Sequence, residues 1–378
     1  MFVPVNEPLL SGNEKKYLLN CLKKNQISST GSYVELFEKK FALKVKRKYA
    51  IAVSNGTAAL QITFDALGIK KNKEVILPSF TIISCLLPIL RIGAKPIFVD
   101  CDPKTWNFDV TKLRKLITKK TTAIVAPHIY GMPIDIEPLI KIAKEFKLKV
   151  IEDSAEVLGL NYKEKPCGSF GDVSTFSFYA NKHITTGEGG MIVTNSKKIA
   201  DSCRSLRNIC FSTRRRFLHY KLGWNQRLTN IQAAIGLAQL EKLDLAVKKK
   251  RMIGNLYQKE LKKFNFFHLP LDKNDYAKNI YWVYGIVLKK NMNLSAIKLM
   301  NLLKKKGIET RNFFWPLHLQ PLLKKEGCYR KVKLPISEYI SQRGIYLPSG
   351  LSLTVKKQMY VIKNLIKILK KYQHSQKI

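Results

Sequence analysis

The sequence predicts an α/β fold with a mostly parallel central sheet and a smaller C-terminal α+β domain, and three observations carry that prediction. Between residues 49 and 195, short β-branched or apolar runs alternate with segments of helical period, as βαβ units require. Residues 228–263 then read as long helical material, followed by one strand and two further helices. The chain has 378 residues, about twice a typical domain, so a division into 1–245 (with the N-terminal segment) and 246–378 follows.

In chain order, the expected strands are Tyr49–Val53, 75–77, 96–99, 123–126, 150–152, 173–178 and 191–194. Helices are expected over 57–67, 110–117 and 137–145, in the gaps that parallel neighbours need for their crossovers. The apolar stretch from Val75 to Leu90 contains Pro78, Ser79, Thr81, Ser84 and Pro88 and stops at Arg91, short of the ~20 residues that span a bilayer. It reads as a buried strand followed by a helix. Beyond residue 246, a strand over 281–288, a helix over 294–305 and a final helix over 355–371 make up the smaller domain.

Composition narrows the function classes. Hydrophobic residues make up 46% and aromatics 10%, which suits a folded enzyme. The seven cysteines are odd in number, widely spaced and without C-x-x-C or histidine neighbours at metal spacing, so free thiols, a cytoplasmic setting and no metal site are expected. The N-terminus lacks the pattern of a secretory signal. Formal charge is +40, and such a field raises the alternative of a nucleic-acid-binding regulator or a membrane-surface protein. The basic runs Arg214-Arg215-Arg216, Lys248-Lys249-Lys250-Arg251 and Lys304-Lys305-Lys306 are not interleaved with base-stacking aromatics, and most fall where helices have solvated faces. No nucleic-acid partner is therefore expected.

Three segments carry chemistry. Ser54-Asn55-Gly56-Thr57 turns from a strand end into a helix, where free N–H groups and the helix dipole favour a phosphate, although an ordinary N-cap explains the same residues. Asp153 ends a strand expected to be buried, so its charge requires a partner; a protonated pyridine ring is one, and helix capping is the other reading. The third runs from Gly171 to Gly190: a strand, then Lys182 in a loop, then Thr185-Thr186-Gly187 and Gly189-Gly190. It places an amine at the sheet edge where open α/β folds bind ligands. A lysine that is partly desolvated there loses its proton readily and forms a Schiff base.

Around these residues the sequence resembles the DegT/DnrJ/EryC1/StrS sugar aminotransferases over nearly its whole length. The resemblance rests on Phe176-Ser-Phe-Tyr-Ala-Asn-Lys182, Thr185-Thr-Gly-Glu-Gly-Gly190, Val3-Pro-Val-Asn-Glu-Pro, His128-Ile-Tyr-Gly-Met-Pro and Gly168-Ser-Phe-Gly-Asp-Val. It implies a pyridoxal 5'-phosphate (PLP) enzyme of fold type I, with Lys182 bound to the cofactor and Asp153 paired with its ring nitrogen. Phe80 would stack on the ring, Gly56, Thr57 and Ser177 would hold the phosphate, and Glu156 would lie beside the cofactor. Asn225, in Gly223-Trp-Asn-Gln-Arg227, would reach the partner's phosphate in a homodimer with shared active sites. Arg311 and His318 belong to a segment that resembles a substrate-side loop, and His183 stands where relatives carry a smaller residue.

The implied reaction converts a nucleotide-linked 4-keto-6-deoxy sugar to the 4-amino-4,6-dideoxy sugar with L-glutamate as donor, for lipopolysaccharide O-antigen. GDP-4-keto-6-deoxymannose is the favoured acceptor and UDP-4-keto-6-deoxyglucose its rival. A sugar 3-dehydratase, in which histidine replaces the lysine, is a further alternative.

Overall fold

The computed structural model describes residues 1–212, 214–328 and 331–373. The large sheet contains β1 (Tyr49–Val53), β2 (Glu74–Pro78), β3 (Lys95–Val99), β4 (Thr121–Pro127) and β5 (Lys149–Asp153). A short hairpin, β6 (Asn161–Tyr162) and β7 (Lys165–Pro166), precedes its last two strands, β8 (Val173–Ser177) and β9 (Gly190–Thr194). The seven strands run in the order β1-β9-β8-β5-β4-β2-β3. β8, β5, β4, β2 and β3 are parallel, whereas β9 is antiparallel to both β8 and β1. Every strand expected in this region is present. The reversal at β9 was not legible, because a buried apolar run reads the same in either direction.

Both faces of the sheet are covered. Along β4, Ile124 and Ala126 point into one core while Ala123 and Val125 point into another, which is the period of two that a strand imposes. Helices Ser32–Lys44, Ile136–Glu145 and Asn230–Glu241 contribute to the first face. Helix Gly56–Leu67 covers the other through Leu60, Ile62 and Phe64, and Gly68 ends it in the left-handed conformation at φ 66°.

The C-terminal sheet is antiparallel, in the order β10 (Phe267–His268), β11 (Tyr284–Leu288), β13 (Gly344–Leu347), β12 (Arg311–Asn312). Two features differ from the expected division at residue 246. Helix Leu243–Leu261 runs through that point, with Leu243 and Val247 in the large core and Ile253, Tyr257 and Leu261 in the C-terminal one. The N-terminal segment, grouped by sequence with 1–245, packs instead on the C-terminal core: Val3 forms a bridge with Ile308 and its N–H donates to Gly307 O at 2.8 Å. Among the described residues no helix is long and apolar enough to cross a membrane, and all seven cysteines are free thiols.

Register brings the chemistry together. Gly190 pairs with both Val53 and Ser177, and Asp153 pairs with Thr175 and Pro127. The turn after β1, the end of β5 and the loop after β8 therefore share one edge of the sheet.

Candidate active site

A cavity of about 640 Å³ opens at that edge, and Gly56, Thr57, Asp153, Glu156, Ser177 and Lys182 all line it. The phosphate-type turn is built by Asn55, whose Oδ1 accepts the Ala58 N–H at 2.8 Å and caps helix Gly56–Leu67. A Cβ at Gly56 would stand 2.9 Å from Ser177 Cβ, so only glycine lets the turn sit this close to β8. Thr57 Oγ1 and Ser84 Oγ are hydrogen-bonded at 2.8 Å on the same wall.

Two adjacent carboxylates end β5 and differ sharply in surroundings. Glu152 accepts from Gly168, Phe170 and Gly171 N–H at 2.5, 2.9 and 3.1 Å, from Ser174 Oγ at 2.9 Å and from His128 Nε2 at 3.0 Å. His128 Nδ1 accepts the Ile134 N–H, so the ring proton is on Nε2 and points at Glu152. Burial pushes the Glu152 carboxyl up, but these donors and the histidine outweigh it and hold it at about 2. Asp153, on the cavity side, receives only the Ala155 N–H at 3.1 Å and the Cys85 Sγ–H at 3.3 Å. Burial pushes its carboxyl above the ordinary range, with those donors and the Lys182 charge pulling back. Asp153 is a desolvated acid in need of a cation.

Lys182 Nζ lies 3.9 Å from Glu156 Oε1 and 3.7 Å from the centre of the Trp282 ring. Burial drives the amine toward its neutral form, opposed by Glu156 and Asp153. Burial likewise pushes the Glu156 carboxyl up, opposed by Lys182, and Glu156 Oε2 is held by the Tyr130 N–H at 2.8 Å. A glycine turn on a helix N-terminus, a buried acid lacking a cation and a desolvated amine fit PLP in its three demands: phosphate, ring nitrogen and aldehyde.

Five expected residues lie elsewhere. Phe80 is fully buried and does not line the cavity; its ring packs 5.7–5.8 Å from those of Tyr130, Phe313 and Phe314, and Thr81 and Ile82 occupy the wall instead. Packing between the two sheets claims the larger ring. His183 faces a separate cavity of about 150 Å³ with Leu9, Ser11 and Gln239, and burial beside Lys250 and Lys182 keeps its ring neutral. His318 is buried against Ser79 Oγ at 2.6 Å and Glu338 at 3.2 Å, away from the cavity. Arg311 is exposed on β12, opposite Tyr346, which does line the wall. Asn225 is also exposed and outside the cavity of its own protomer, with Oδ1 held by the Arg227 guanidinium at 2.8 and 3.0 Å. Sequence reasoning missed Trp282 and Cys85, for which it found no local motif, and assigned no role to the amide of Tyr130, although that residue lies within His128-Ile-Tyr-Gly-Met-Pro.

Comparison with known proteins agrees with this geometry. Residues 8–366 match the model of the DegT/DnrJ/EryC1/StrS aminotransferase family. A GDP-perosamine synthase from Escherichia coli O157:H7 is 42% identical over 96% of this chain and 98% of its own, and one from Vibrio cholerae is 41% identical over 92% and 94%. Among solved structures, the Helicobacter pylori aminotransferase PseC, involved in the biosynthesis of pseudoaminic acid, superposes with a TM-score of 0.93 at 25% identity, covering 98% of this chain and all of that one. The edge cavity, its lysine and these likenesses agree: the chain belongs to the DegT/DnrJ/EryC1/StrS aminotransferase family and is a PLP-dependent enzyme of fold type I.

Proposed function

We propose that the chain moves an amino group from L-glutamate to C4 of GDP-4-keto-6-deoxymannose, giving GDP-perosamine. The observation that carries this reading is the convergence of Lys182, Asp153 and the Gly56 turn on one cavity, in a chain 39–42% identical to three proteins named GDP-perosamine synthase. When bound, PLP supplies an aldehyde that exchanges amines and a ring that withdraws electrons from the adjacent carbon. Asp153 keeps the ring nitrogen protonated, and the Gly56 turn with Thr57 and Ser177 holds the phosphate. Lys182 would anchor the cofactor, and its freed Nζ would take the proton from the donor's α-carbon. In the second half-reaction the same amine delivers a proton to the sugar carbon; such positioned transfer contributes ~10² to 10⁴-fold.

The 3-dehydratase alternative requires histidine in the lysine position. Lys182 stands there, and the neighbouring His183 faces another cavity. The assembly we infer is a cytoplasmic homodimer in which Asn225 reaches the partner's phosphate, with a product that serves a lipopolysaccharide O-antigen. Exposure of Phe217, Tyr220 and Leu222, at 81, 78 and 95%, supports a covered segment ahead of Asn225.

Mass spectrometry of products tests the reaction. The protein with PLP and L-glutamate is incubated separately with GDP-4-keto-6-deoxymannose and UDP-4-keto-6-deoxyglucose. Amination of the GDP sugar alone is the expected result, and amination of the UDP sugar alone overturns the choice of base. Lys182→Ala is expected to abolish both turnover and the visible absorbance of lysine-bound cofactor.

A further inference from the structure

The run Lys248 to Arg251 reads in sequence as a solvated helix face, yet Lys250 is 1% exposed. Its Nζ donates to Trp282 O at 2.8 Å and to Ser349 O at 2.6 Å. An ammonium held by carbonyls alone is an expensive way to satisfy two acceptors, since burial opposes its charge. Burial, with Lys182 nearby, pushes the Lys250 amine down to about 7.

The acceptors explain the placement. Trp282 is the residue whose ring lies over Lys182 Nζ, and its indole Nε1–H donates to Asn181 O at 2.9 Å, fixing the peptide immediately before Lys182. The backbone leading to Trp282 is strained: Tyr281 adopts φ 49°, an uncommon conformation for a bulky side chain. Its N–H is held by Asn279 Oδ1 at 2.6 Å, and on the far side the Trp282 carbonyl is held by Lys250. Lys250 thereby ties the strained segment to residues 348–349, which the same helix holds a second time: Tyr257, two turns beyond Lys250, donates from its hydroxyl to Pro348 O at 2.8 Å.

We propose that Lys250 is a positioning residue for Lys182, acting through Trp282: it fixes the carbonyl of the tryptophan whose ring and indole N–H hold the reacting amine in the cavity. The inference rests on the reading of Lys182 as the cofactor lysine.

The test measures how fast the full-length apoprotein captures PLP at Lys182, trapped by borohydride and read by peptide mass spectrometry. Lys250→Met, Trp282→Leu and the double variant complete the cycle. Lys250→Met is expected to slow capture by about tenfold in the native background and by less than about twofold beside Trp282→Leu, since two residues that act through one contact are non-additive. Equal slowing in both backgrounds, or none in the single variant, overturns the proposal. Urea midpoints are measured on every variant, because a merely structural lysine would lower the midpoint and leave the two effects multiplicative. If Lys250→Met does not fold, Lys250→Gln, which retains an amide donor, is taken through the same cycle. Absence of trapped cofactor at Lys182 in the native chain sinks the reading of Lys182 itself, an outcome distinct from any pattern among the variants.

Discussion

At the end of β5, Asp153 keeps a carboxylate buried with only an amide and a thiol to satisfy it. A group so placed destabilises the folded chain until a cation arrives. Asp153→Asn is therefore expected to leave the urea midpoint of the apoprotein unchanged or higher, while turnover falls by about 10²-fold or more, the scale of losing one preorganised charge in a dry site. A drop in both would show that Asp153 serves the fold. The residue was legible in the sequence because a charged side chain at the end of an apolar run is conspicuous. Its role relative to Glu152 was not, since neighbours on a strand face opposite sides and the donors that claim Glu152 come from residues 128 and 168–174.

Among elements, Glu152 is the joint between β4, β5 and the entry to β8. Arg47 reinforces it by donating to Gly168 O and Gly171 O at 2.9 and 2.6 Å. Glu152→Gln would set an amide N–H₂ against several donors, so a loss of about 2–4 kcal/mol in unfolding free energy at pH 7 is expected. The pH dependence has a definite sign. A carboxyl held at about 2, against 4.5 for a free glutamate, contributes stability that is complete above 4.5 and disappears as pH falls toward 2. The gap between native and variant midpoints should shrink across that window, and a constant gap would mean that the charge of Glu152 is irrelevant. Strands and helices were legible at this scale from period alone. The exceptions include the reversed β9, the short β6, β7, β10, β12 and β13, whose existence depends on partners elsewhere in the chain, and helices such as Glu14–Lys23, Ser32–Lys44 and Lys197–Arg207, which were not among the expected elements.

For the whole molecule, the net charge of +40 acts against self-association. Yet the proposed site needs two copies, and the exposed apolar side chains of Phe217, Tyr220 and Leu222 supply a surface for the second. Sedimentation is expected to show a dimer that tightens as salt rises and screens the repulsion. Leu222→Asp should shift it to monomer and weaken cofactor binding together. A dimeric Leu222→Asp protein with ordinary PLP affinity would exclude this segment from the interface.

By itself the sequence determined the succession of βαβ units and six residues of the cavity: Gly56, Thr57, Asp153, Glu156, Ser177 and Lys182. Gly56, Thr57, Asp153 and Lys182 follow from turns and strand ends, which parallel strands bring to one edge without any distant contact having to be known, whereas Glu156 and Ser177 were implied by the family resemblance. Only tertiary structure decided that Phe80, His183 and His318 turn away from the cavity, that Lys250 is buried, and that Trp282 covers Lys182 from 100 residues further along the chain. Those outcomes depend on packing between the large sheet and the C-terminal one, where the choice is made by the space and hydrogen bonds that remote segments offer, and no local pattern encodes it.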